Sequence, residues 1–462
     1  MNRLTTLDAG FLKAENADPR VSLAIRGLAV IEGPAPEHSA LMSAFAERIR
    51  ACPRFGQRLR SRPFDLGAPQ WVDDLDFDIG RHIRRVALPQ PGDDQELFGV
   101  VADSMARRLD RARPLWEIWV IEGLAEGRWA ILTKIHHCMA DGIAAAHMLA
   151  GLSDDGVGDS FARHVSAGKE AKRPVAEMNP LAIVGGLWNM STSVAAAAAR
   201  VAQGATEIAL GLLRPAASSL NGPIGGLRRY SGARVSLADV EHVCATFDVT
   251  INDVALTAIT ESYRNLLVKR GERLQPGSLR TLVPVSMRSA DAFDKTDNRV
   301  SVMLPQLPID EDNPVQRLRI VHSRLDRSKA GGQAQAGNAL VCMANHIPFA
   351  FTAWALGLLT RLPQRGVVTV ATNVPGPRRA LRVMGKKVLA LFPVPPIAMQ
   401  LRTGVAMLSY ADDLFIGILA DYDRVADVDE LARGIEAAVA RLVAISKRRK
   451  DHYARGPLSL VV

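Results

Sequence analysis

Apolar positions along this chain switch between helical and strand-like spacing, and the switches mark its elements. Leu41, Phe45 and Ile49 fall four apart within Pro36 to Arg50. Leu97, Val100, Val101 and Met105 keep one helical face within Gln95 to Leu109, so both stretches are expected as helices. A hairpin follows: Trp116 to Ile121 reads as a strand, Gly123 to Gly127 as its turn and Arg128 to Ile135 as the return. The polar, turn-forming run His136 to Gly142 interrupts, and Ile143 to Leu152 resumes as a helix. Ser153 to Pro180 is polar and irregular, the composition of a flexible connection, and helical spacing returns near Leu181 to Leu213. Beyond a breaker run at Pro215 to Pro223, Thr250 to Lys269 reads as a long helix with Thr250 as its cap. Strands are expected at Arg280 to Val285, Val300 to Leu304, Gly366 to Ala371, Gly404 to Tyr410 and Leu414 to Leu419, the last two paired across Ala411 to Asp413. A helix from Asp427 to Ser446 and a basic tail, Lys447 to Lys450, close the chain.

A length of 462 residues is more than one hydrophobic core usually serves. The pattern divides into two α/β halves, 1–153 and 223–462, joined by a linker with crossover helices at 154–222. With 48% hydrophobic and 23% charged residues the chain is of globular composition. Leu181 to Ala199 carries no charge, but Asn189, Ser191, Thr192 and Ser193 favour a helix packed on protein over a membrane span. Lys and Arg exceed Asp and Glu by nine (57 − 48), which suits nucleic acid, an anionic membrane surface or a phosphorylated small molecule. Cys52, Cys138, Cys244 and Cys342 form no CxxC pair, and the start has no apolar signal region, so a reducing cytoplasm is the expected setting.

The chemistry is concentrated between the hairpin and the helix after it. An imidazole can take a proton at neutral pH once a partner orients it, and Asp141 lies four positions from His137, with Gly142 freeing the exit backbone. Adjacent residues of an extended segment face opposite ways, so His136 and His137 cannot easily reach one substrate atom; one is expected to act and the other to position it. On spacing alone, a pair that merely bonds backbone fits about equally well. A His-His-Asp metal site lacks accompanying ligands, and Cys138 reads as an inert buried thiol. The chain contains no GxSxG, GxGxxG or GxxxxGK[ST], which disfavours hydrolase, dinucleotide and P-loop chemistry.

The sequence resembles the bacterial wax ester synthase/diacylglycerol acyltransferase family, in its mycobacterial triacylglycerol synthase branch, over essentially its whole length. The resemblance rests on Leu7-Asp8-Ala9-Gly10-Phe11, Arg113-Pro114-Leu115-Trp116-Glu117, His136-His137 with Asp141-Gly142, Asn252-Asp253-Val254, Val283 to Arg288, Asn298-Arg299-Val300 and Thr372-Asn373-Val374-Pro375-Gly376-Pro377, in that order. It implies an α/β, two-domain, coenzyme-A-dependent acyltransferase fold of the chloramphenicol acetyltransferase type, with mixed sheets and a channel between the domains. It further implies His137 as the general base, with His136 and a structural Asp141 beside it. Gly142, Trp116, Asn252, Asp253, Thr372 and Asn373 are implied as substrate-binding residues.

The implied reaction carries a long-chain acyl group from acyl-CoA to diacylglycerol, giving triacylglycerol, or to a long-chain alcohol, giving a wax ester. Acyl-CoA enters as substrate, with no cofactor, no metal and no nucleic acid partner. The setting is cytoplasmic, peripheral to the inner face of the membrane or to lipid droplets, with Lys447 to Lys450 and the apolar run Pro348 to Leu359 as docking candidates. Two other readings share part of the pattern: a condensation enzyme fed by carrier proteins, and a lipid-binding relative without turnover.

Overall fold

A computed structural model of the chain describes residues 4–50, 52–61, 68–139, 153–154, 218–286, 300–330, 366–398 and 400–454. Asp141, Gly142, the Leu181 to Ala199 stretch and the Pro348 to Leu359 run lie outside the described residues. The first half opens with α1 (Thr6–Ala17), started by a capping box between Thr5 and Asp8. Then come β1 (Ala24–Ile31), α2 (His38–Arg50), the short strands β2 (Gln57–Arg60) and β3 (Gln70–Asp73), β4 (Ile83–Ala87) and α3 (Asp94–Ala106), followed by the hairpin β5 (Trp116–Leu124) and β6 (Arg128–His136). The expected apolar faces are the buried ones, Leu41, Phe45 and Ile49 on α2 and Leu97, Val101 and Met105 on α3, with Val100 half-buried at the edge of its face.

The second half runs β7 (Arg228–Ser236), α4 (Leu237–Phe247), α5 (Ile251–Lys269), β8 (Thr281–Ser286), β9 (Val300–Met303) and α6 (Pro314–Ala330). It continues with β10 (Thr369–Val374), β11 (Arg382–Val383), β12 (Lys386–Val394), β13 (Thr403–Tyr410), β14 (Asp413–Asp421) and α7 (Val428–Ala454). Helix α7 extends through Lys447 to Lys450, so the basic segment is helical; Lys447 reaches Asp239 on α4 at 3.3 Å. No single described helix is long and apolar enough to cross a membrane.

Two six-stranded mixed sheets form, in the orders β11-β12-β1-β6-β5-β4 and β7-β14-β13-β10-β8-β9. Strand β1 is antiparallel to both β12 and β6, whereas β4 and β5 run parallel; in the second sheet β10 is parallel to both β13 and β8. The hairpin at 382–394 belongs by sequence to the second half and by pairing to the first sheet. The halves are therefore joined by an exchanged element as well as by the linker.

Apolar contact seals that junction. Phe392 on β12 packs edge-on against Phe415 on β14 at 4.9 Å, and the Tyr230 hydroxyl donates to the Pro393 carbonyl at 3.0 Å. Gly417 makes the approach possible, because a Cβ there would sit 1.7 Å from the Pro393 oxygen.

Candidate active site

Strand β6 carries both histidines out of the first sheet, and backbone bonds fix the exit. The His136 N–H donates to Leu115 O at 3.0 Å, the His137 N–H to Leu23 O at 2.9 Å, and the Met139 N–H back to His136 O at 2.9 Å. The two rings then meet different surroundings. His136 is buried, its Nδ1 accepting the Cys138 N–H at 3.1 Å and its Nε2 lying 3.1 Å from Glu15 Oε2. An Nδ1 that accepts a backbone N–H leaves Nε2–H to donate to Glu15, which fixes the ring's tautomer and removes its freedom to shuttle protons. His137 is half-buried and lies stacked on Phe11, with centroids 4.1 Å apart and planes inclined by 22°.

Both partners come from α1, and neither was singled out for a role by sequence reasoning. Phe11 and Glu15 are four residues apart and so share one helix face. The Thr5-x-x-Asp8 box that starts α1 was the readable signal for that helix. Burial alone would raise the Glu15 carboxyl. The bonds from His136 and the Leu23 amide, together with the charge of Arg111, instead bring it down to about 2. Cys138 is buried and its thiol is pushed well above the usual range, chiefly by burial and then by the Asp8 carboxylate, so it is no nucleophile.

Beyond the motif in sequence, Asp154 accepts from Arg48 on α2 at 2.8 Å. It also accepts from the Met384 and Gly385 amides, at 2.8 and 2.5 Å, in the β11–β12 turn. Asp154 thus ties α2 to the exchanged hairpin. Trp116 lies in the core: it is 1% exposed, donates its indole N–H to Phe55 O at 2.8 Å, and stacks on His82.

The second sheet places the remaining residues together. Asp253 is buried at the first turn of α5, where its carboxylate accepts from the Thr250 N–H and hydroxyl, both at 2.8 Å, and faces His322 Nδ1 at 2.9 Å. Its role is to cap and anchor that helix. Asn252 beside it is exposed, and its Oδ1 accepts from Asn373 Nδ2 at 2.7 Å, tying the start of α5 to the end of β10; Thr372 is half-buried on the same strand. Among the described residues, no group of three or more His, Cys, Asp or Glu could hold a metal ion.

Residues 4–255 match the wax ester synthase/diacylglycerol acyltransferase catalytic domain, and 296–442 match the WS/DGAT C-terminal domain. The chain is 68% identical, over all of both sequences, to the probable diacylglycerol O-acyltransferase tgs1 of Mycobacterium tuberculosis (strain H37Rv). Among solved structures, the fold is similar to the wax ester synthase/diacylglycerol acyltransferase from Marinobacter aquaeolei VT8, with a TM-score of 0.67 and 24% identity. That match covers 96% of this chain and 100% of the other. The first condensation domain of the CDA synthetase shares the fold at a TM-score of 0.60 and 14% identity, covering 96% of each chain. Two family models spanning both sheets, and a full-length mycobacterial relative at this identity, leave one assignment: the chain belongs to the wax ester synthase/diacylglycerol acyltransferase family, in its mycobacterial triacylglycerol synthase branch.

Proposed function

We propose that this enzyme transfers a long-chain acyl group from acyl-CoA to diacylglycerol, with His137 as the general base. The observation that carries the reading is the contrast between neighbouring imidazoles. His136 is sealed and doubly bonded, while His137 leaves the same strand end half-buried against an aromatic face. The diacylglycerol acceptor is supported by the relative that is 68% identical, a probable diacylglycerol O-acyltransferase.

In the reaction, His137 removes the acceptor's hydroxyl proton as its oxygen attacks the thioester carbonyl. A C–O bond forms, the C–S bond breaks, and the proton passes from the imidazolium to the departing thiolate. The balance closes without a covalent acyl-enzyme or a further cofactor. A positioned base of this kind contributes about 100- to 10,000-fold.

Long-chain alcohols are proposed as second acceptors, giving wax esters. The setting is cytoplasmic, peripheral to the inner membrane face or a lipid droplet, because the acceptor is apolar and the chain carries a formal charge of +9. Free-thiol release from palmitoyl-CoA, measured with diacylglycerol, with a fatty alcohol and with neither, tests the assignment. Release should require an acceptor, be fastest with diacylglycerol and fall at least about 100-fold in His137→Ala. A folded His137→Ala protein with full turnover would falsify the base. Salt-sensitive sedimentation with anionic vesicles tests the setting.

A further inference from the structure

A base works only while its ring is held in one orientation, and two of the groups that pack and brace the His136–His137 corner share a single face of α1. Phe11 supplies a flat surface under the ring. One turn later stands Glu15, 1% exposed, whose Oε2 accepts the Leu23 N–H at 2.8 Å and lies 3.1 Å from His136 Nε2. The carbonyl of that same Leu23 accepts the His137 N–H at 2.9 Å. One carboxylate oxygen therefore holds the residue before the base and also the amide of Leu23, the residue whose carbonyl, in the next peptide unit, receives the base's own backbone N–H. Its other oxygen faces Arg111 at 3.4 Å and Arg108 at 3.9 Å, which keep it ionised. Helix α1 is already capped by Thr5 and Asp8, so its start does not call for this buried charge.

Resting on the reading of His137 as base, we propose that Glu15 is a positioning residue for acyl transfer. It acts through His136 and the Leu23 peptide, while Phe11 serves as the platform for the ring. The Glu15 oxygen holds the exit of β6 rigid, and the stacked phenyl ring limits rotation of the imidazole. Glu15 is sealed from solvent, so its loss should slow turnover and leave acyl-CoA binding alone.

The test compares Glu15→Ala, Glu15→Gln, Phe11→Leu and His137→Ala in the full-length enzyme. It uses kcat and KM for palmitoyl-CoA with diacylglycerol, and thermal unfolding to normalise for folded protein. Displacement of a reacting group by ~1 Å can lower the rate ~100-fold, and a loss of that order in kcat is expected for Glu15→Ala, with KM within about threefold. Glu15→Gln keeps an acceptor oxygen and should recover about tenfold of that loss; Phe11→Leu should cost about tenfold. Wild-type kcat in Glu15→Ala, a loss confined to KM or to the folded fraction, or a Gln variant no better than Ala overturns the proposal. An active His137→Ala variant sinks the base assignment itself. An inactive one beside an unimpaired Glu15→Ala sinks only the positioning role.

Discussion

Each six-stranded sheet carries a polar row across three neighbouring strands, buried throughout in the second and all but Glu117 in the first, and the two rows are built from opposite materials. In the first sheet Arg26, Lys134 and Glu117 stand in register on β1, β6 and β5. In the second, Thr281, Thr369 and Thr403 stand in register on β8, β10 and β13. The neutral row is satisfied by short-range bonds. The Tyr263 hydroxyl lies 2.8 Å from Thr403 Oγ1 and 3.2 Å from Thr369 Oγ1, and Thr281 Oγ1 donates to Thr369 O at 3.2 Å.

The charged row is under stress. Burial pushes Lys134 down to about 7 and Arg26 to about 9, and Nε and Nη1 of Arg26 are buried without a hydrogen-bond partner. Lys134 has the Arg107 carbonyl at 2.8 Å and Glu117 at 3.8 Å, but like-charged Arg26 opposes it across the strands. The sheet whose strand delivers His137 thus accepts unfavourable electrostatics, while its counterpart is a static brace.

Replacing Lys134 with methionine should break the contrast with the largest effect. Glu117 would retain Arg84 at 3.3 Å and the Trp119 indole N–H at 3.1 Å, so losing Lys134 does not strand it, and a net stabilisation at neutral pH is expected because burial disfavours the charged lysine. The sign with pH is definite. The folded-state pKa of Lys134 is depressed from 10.5 to about 7, so the unfolded chain binds more protons between those values. Wild-type stability from this group is present above 10.5 and is lost as pH falls toward 7. Urea midpoints at pH 7 and pH 10 should therefore show Lys134→Met ahead at the lower pH, with its lead shrinking at the higher. A lead that does not change with pH would show that the lysine is not stressed.

Tyr263→Phe sharpens the other side. Losing one hydroxyl from the neutral row should cost about 1 kcal/mol, equally at pH 6 and pH 9, since burial raises the Tyr263 pKa. A pH-dependent cost would mean that the two rows differ less than their composition suggests.

Much of this layout was legible in the residues. The periodic helices α2 and α3, the capped helix α5 and the β5–β6 and β13–β14 hairpins all follow from local pattern, because α2 and α3 each bury one face, Thr250 marks the start of α5, and each hairpin pairs with its sequence neighbour. Strand β1 was not singled out, since seven of its eight residues are buried and no alternation survives. The crossing of β12 into the first sheet is a long-range pairing, Leu28 with Phe392, that no local signal encodes. At the site, the motif located both histidines, but Glu15 lies 121 residues from His136, and only the folded chain shows that they meet. Trp116 could have walled a cavity or filled the core; its indole bond to Phe55 places it in the core.

The smallest effect concerns a side-chain bond joining two residues marked by the family motifs, Asn373 to Asn252 at 2.7 Å. It links the first turn of α5 to the end of β10, and Asn252 is exposed, so solvent competes for both amides. A neutral bond of this kind contributes about 0.5–1.5 kcal/mol, and exposure argues for the lower end. A double-mutant cycle of Asn252→Ala and Asn373→Ala, read by urea unfolding, isolates it, because residues in contact couple by about 0.5 kcal/mol or more while independent ones add within about 0.3–0.5 kcal/mol. Coupling at that level would make the pair a strut at the edge of the braced sheet. Simple additivity would leave the α5 terminus held by Thr250, Asp253 and His322 alone, and the two asparagines free to turn toward a ligand.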